Sequence, residues 1–156
     1  MNDAKQTTKK GSRKMKTKIT LGLIAAVLLT QAGCTTKIRS LPLPSALQTQ
    51  NAQDVALYFG DDAHAPVKQT FGNKEFAVRV NRQPEKSPEA TCNIALTKAI
   101  QELRDYARTQ HANAVINVKT RFQHNESTSP AEFTCGASLN GSTLAVRGDV
   151  VMLETN

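Results

Sequence analysis

Apolar and polar positions alternate strictly in several short runs of this chain. Val55, Leu57 and Phe59 alternate with Ala56 and Tyr58, and Gly60 and Asp61 end the run. After a loop holding His64 and Pro66, Phe76, Val78 and Val80 alternate with Ala77 and Arg79. Period two is the signature of a half-buried strand. Asn81 to Pro88 is charged, carries two prolines and reads as surface. The period then changes. Leu96, Ala99, Ile100, Leu103 and Ala107 recur at three- and four-residue steps and predict a helix from Pro88 or Thr91 to Thr109. Cys92 lies on the same stripe, Ser87-Pro88 is a cap and first-turn pair, and Arg104 and Arg108 suit the negative end of the helix dipole.

Beyond the helix, Val115, Ile116 and Val118 mark a strand over Ala114 to Thr120, and Gln123 to Pro130 reads as a flexible loop. Phe133, Cys135 and Ala137 share one parity of a further strand. Asn140-Gly141 signals a hairpin turn. Leu144, Val146, Gly148, Val150 and Met152 then alternate with Ala145, Arg147, Asp149, Val151 and Leu153 in the longest strand. Two strands, a long helix and three further strands predict an α+β fold over residues 54–156, with the helix packed on one face of a small, mostly antiparallel sheet. The strand order is not fixed by this pattern.

The pattern upstream is of another kind. From Met15, Lys16 and Lys18 precede an apolar run of eleven residues, Ile19 to Leu29, and Ala32-Gly33 lead into Cys34. This is the layout of a secretory signal, and the run falls short of the ~20 residues a membrane-spanning helix needs. The junction resembles a bacterial lipoprotein signal, over residues 15–33. That resemblance implies a fatty-acylated, palmitate-bearing Cys34 as the mature N-terminus, although Gln31 stands where an aliphatic residue is usual. The alternative is a secreted protein cut near Ala32, with Cys34 left as a thiol. Residues 1–14 form a polar, basic extension or an over-called start. Thr35 after the cysteine, in place of the aspartate of inner-membrane retention, implies an outer-membrane lipoprotein facing the periplasm. Residues 34–53, with Pro42 and Pro44, read as a flexible tether. Within it Leu41, Leu43 and Leu47 could pack on the domain but support no regular element.

The signal changes the reading of the charge. The whole chain carries +7, but seven basic side chains and one acid lie in residues 1–33, leaving 13 basic and 12 acidic groups. The high net charge therefore does not mark a nucleic-acid binder, and no basic patch or nucleic-acid motif remains to present one. With Cys34 assigned to the anchor, Cys92 and Cys135 remain. In an oxidising envelope they are good disulfide candidates, and side chains facing the same core from two elements can reach the short separation a bridge needs. The closed loop of about 44 residues corresponds to roughly 4 kcal/mol in the chain-entropy estimate.

Cys92 at the helix start, His111-Ala112-Asn113-Ala114-Val115-Ile116-Asn117-Val118, Thr134-Cys135-Gly136-Ala137 and the final strand at Ala145 to Val150 resemble a group of small bacterial envelope proteins. They are distantly similar to the stress-sensor lipoproteins of the RcsF type and to YbjQ-like domains. The resemblance covers roughly residues 76–152. It implies a compact domain with a helix on a sheet, and a role in stress sensing or envelope assembly. It also implies that Ala112-Asn113-Ala114 is the helix-to-strand turn, where Asn tolerates left-handed geometry. The family usually has glycine where His111 stands. RcsF proteins carry four mature cysteines and this chain two beyond Cys34, so a redox role resting on a second bridge does not carry over.

The sequence contains no HExxH, P-loop, GxSxG or CxxC pattern, and no cofactor is expected. His64, His111 and His124 are scattered; His64 or His124 with Asp61 and Asp62 is the weak metal-site candidate. A cysteine nucleophile is less simple than a bridge for Cys92 and Cys135. The seven aromatic side chains, with no Trp, make a poor binding platform. The expectation is a non-enzymatic envelope lipoprotein that contacts the membrane through its N-terminal lipid and an unidentified envelope protein through its domain. A periplasmic small-ligand or metal-binding domain is the alternative.

Overall fold

The computed structural model describes residues 35–48 and 54–154; Cys34 and the signal lie outside them. Seven strands form one sheet: β1 (Lys37–Pro42), β2 (Ala56–Phe59), β3 (Val67–Asn81), β4 (Ala114–Phe122), β5 (Asn125–Ser127), β6 (Glu132–Ala137) and β7 (Gly141–Leu153). A short helix α1 (Ser45–Gln48) follows β1, and the long helix α2 (Pro88–Thr109) lies between β3 and β4. The α+β class with one helix on a mostly antiparallel sheet is as the sequence predicts. The central strand is β7. It pairs antiparallel with β3 along its whole length, with β6 at its start and with β4 over the remainder. β1 lies antiparallel on β6, while β2 runs parallel to β4.

α2 takes the earlier of its two predicted starts. Ser87 caps it, its hydroxyl accepting from the Ala90 amide at 3.1 Å, and Pro88 occupies the first turn, where a missing N–H is harmless. Cys92, Ala95, Leu96, Ala99, Ile100, Leu103 and Ala107 are buried against β7 and β3. Burial of each large side chain among them contributes about 1.5–3 kcal/mol, and the alanines let the helix axis lie close to the sheet. Cys92 and Cys135 are both fully buried and joined by a disulfide, with Cα atoms 6.0 Å apart.

The expected turn after the helix is corrected. His111, not Asn113, takes the left-handed conformation, at φ 57°. The amides of Ala112 and His111 donate back to the carbonyls of Ala107 and Arg108, each at 3.0 Å. This is a Schellman closure with histidine at the position glycine favours. Asn113 acts instead as a clamp: its side chain donates to the Leu153 carbonyl at 3.0 Å and accepts from the Leu153 amide at 2.7 Å.

Three other expectations change. The tether of residues 34–53 is not flexible over Lys37–Gln48. β1 hydrogen-bonds along β6, and Leu43 and Leu47 are 4% and 8% exposed. Pro42 is tolerated because it ends an edge strand, where no ladder donor is required. The loop Gln123 to Pro130 contains β5, which turns back onto β4 through Gln123 and His124. The strand predicted around Phe76 to Val80 extends to fifteen residues, because β7 supplies hydrogen-bond partners even where β3 is exposed on both faces.

β4 also breaks period two. Val115 and Val118 both point into the helix-side core because one extra residue is accommodated between Ile116 and Lys119, with Asn117 at φ 53°. The bulge presses on Gly148 of β7, where an added Cβ would lie 2.5 Å from a Val115 methyl and 3.1 Å from the Ile116 carbonyl oxygen. A second, smaller apolar cluster forms on the opposite face from Ala114, Ile116, Val151 and Leu153, with Ala56, Tyr58 and Ala65 against it.

Candidate interaction surface

The bulge sets up the most organised polar surface of the domain. By shifting β4 one residue against β7, it places Lys119 and Arg121 on the face away from α2, beside Arg147 and Asp149. Glu75 on β3 reaches across β7 to Arg121, meeting its Nε at 2.9 Å. Arg147 pairs with Glu126 of β5 at 2.7 Å, and Lys119 approaches the same carboxylate at 3.8 Å. Asp149 accepts at 2.8 Å from the side-chain amides of both Asn73 and Asn117, one on each flanking strand. Three cations and three carboxylates from four strands thus form one lattice of balanced charge.

The lattice biases its own ionisation. Hydrogen bonds from Arg121 hold the Glu75 carboxyl below its ordinary value of 4.5, burial opposes them, and the charges of Arg121 and Arg147 add to the lowering. The same hydrogen bonds, donated to Glu75, raise the pKa of the Arg121 guanidinium. These side chains remain 28–39% exposed, so the pairs fix orientation more than they stabilise the fold.

The residues singled out in the sequence lie elsewhere. His64 packs edge-on to Tyr58, with ring centroids 5.5 Å apart, and its Nδ1 lies 2.8 Å from the Ala65 carbonyl. Asp62 accepts from the Phe59 amide at 3.2 Å, Asp61 is exposed beside it, and His124 is exposed in the β4–β5 turn. Among the described residues no three His, Cys, Asp or Glu side chains form a group able to hold a metal ion. Asp62 does border a depression of about 240 Å³ lined by Leu43, Leu47, Leu57 and Phe59. Ligand sites more commonly occupy about 300–1,000 Å³. No described helix is long and apolar enough to cross a membrane.

Sequence reasoning did not find the lattice. Its charged members are ordinary residues spread from Glu75 to Asp149, and only the register of β3, β7, β4 and β5 assembles them. The one local signal is Asn117, a residue tolerant of left-handed geometry in the middle of an apolar run. No family model, curated protein or solved structure matches the chain.

Proposed function

We propose that this chain is a non-enzymatic lipoprotein of the cell envelope, anchored at Cys34, that acts by binding another envelope protein through the uncovered face of its sheet. The observation that carries the reading is the cross-strand lattice of Glu75, Arg121, Arg147, Glu126 and Asp149. Its charged groups are fixed in place before any partner arrives, so little side-chain freedom is lost on docking. Arginines held in this way suit interfaces, where Arg is enriched and orientation matters more than gross charge. α2 leaves this face open, and Ala77 and Arg79 of β3 extend it with exposed positions. The resemblance to stress-sensing and assembly lipoproteins points to the same class of role.

The test is photo-cross-linking in intact envelopes. A cross-linking residue at Ala77 or Arg79 should yield a discrete adduct that one at Lys98 or Gln101, on the exposed back of α2, does not. Adducts arising from α2 alone, or none from the sheet face, would overturn the assignment of this surface.

A further inference from the structure

The start of β1 lies at one end of the molecule. Lys37 pairs with Ala137, Arg82 donates its amide to the Asn140 carbonyl, and the Ser142 hydroxyl reaches the Pro88 carbonyl. The first described residues, the β6–β7 turn, the end of β3 and the start of α2 therefore share one surface. A depression there is lined by Thr35, Lys37, Arg39, Arg82, Ser138 and Leu139 among others, with three cations and no acid among its walls. Glu89 stands next to it and pairs with Arg39, and Glu85 and Lys86 occupy the adjoining loop.

Three large apolar side chains are exposed among the described residues, and two of them are at this end. Leu139 at the turn tip is 75% exposed and Ile38 is 49% exposed; the third, Val67, pairs with Leu153 at the far end of β7. Cys34 directly precedes Thr35 in the sequence, and Thr35 lines the depression. Two residues, Thr35 and Thr36, lie between Cys34 and the start of β1 in the sequence.

We infer that this end is a membrane-docking face, on which Lys37, Arg39 and Arg82 meet anionic phospholipid headgroups and Leu139 enters the interfacial layer. The inference rests on anchoring at Cys34. A lipid on that residue would bring this surface toward the bilayer. The surface carries what an anionic bilayer takes up: basic side chains around a protruding apolar tip. The domain then stands upright, with β7 leading from the bilayer to a membrane-distal end at Leu153 and Glu154. Thirteen residues of strand carry that distal end about 40 Å away.

The chain contains no Trp, so an introduced indole reports alone. Full chain carrying Leu139→Trp is purified from envelopes, its N-terminus is checked by mass spectrometry, and it is reconstituted into phosphatidylcholine vesicles with or without phosphatidylglycerol. With phosphatidylglycerol, the indole at 139 should emit further to the blue and be quenched by acyl-brominated lipid. An indole introduced by Glu154→Trp should stay open to acrylamide. Adding Lys37→Gln should lower the docked-to-undocked ratio about fivefold, the weight of one basic side chain at an anionic surface. A lipidated chain whose indole at 139 is as open to water as that at 154 would overturn the docking face alone. An unmodified Cys34 would overturn the anchoring reading and the docking face with it.

Discussion

His111 is held in a conformation that costs an L side chain about 1–2 kcal/mol and glycine almost nothing. Its ring is exposed and the closure around it uses only main-chain bonds. His111→Gly should therefore raise stability by about 1 kcal/mol, the relief of strain being partly offset by the greater freedom of unfolded glycine. A urea midpoint that falls would contradict this. Glu75 has a different signature. Its folded carboxyl titrates below its ordinary value of 4.5, so as pH falls the unfolded chain takes up that proton first. The contribution of the Glu75–Arg121 pair is thus fully present above about pH 4.5 and lost as pH drops through the lowered folded value. Glu75→Gln should flatten the acid limb of stability against pH and leave its slope near neutrality unchanged, as urea unfolding at stepped pH would show. The amide contributes no titrating group, so an unchanged acid limb would count against the pair.

Among the elements, those with their own periodicity were legible in the sequence. The stripe of α2, the parity of β6 and the alternation of β7 each name their buried face, and together they placed Cys92 against Cys135. Replacing both cysteines with alanine should preserve the fold and lower stability by about 2–4 kcal/mol. Peptide mapping without reductant should recover the linked pair, because both side chains are shielded until the chain unfolds. Free thiols released by denaturation alone would show the bridge absent. Other elements carried no local signal. β1 holds its place through β6, and through pairing of Arg39 with Glu89, fifty residues away in sequence. The first four residues of β3 are exposed on both faces, so no alternation marks where it starts. β5 is three residues long, and in β4 the bulge puts Val115 and Val118, three residues apart, on the same face, where strict period two would set them on opposite faces. The charged lattice inherits all these omissions, since each of its members depends on register.

For the whole molecule, the anchor sets the expectation. Membrane-extracted protein should begin at a lipid-modified Cys34 and fractionate with outer-membrane markers, as Thr35 implies. A soluble chain with another N-terminus, or one recovered only with inner-membrane markers, would contradict this. The sheet order has a consequence for how such a chain comes into being. β7 joins β3, β6 and β4, yet it follows all three in the sequence and so emerges after them from a ribosome. Its pairing with β3 links positions more than sixty residues apart, such as Val78 and Leu144. Until β7 arrives, β3 has no described strand partner and the apolar stripe of α2 lacks a main strand it packs on. Closure of the central sheet therefore waits for β7, and the long sequence separation of the β3–β7 pairing makes it the slow contact to form. In a chain exported as proposed above, this order would leave the central sheet open until β7 has crossed.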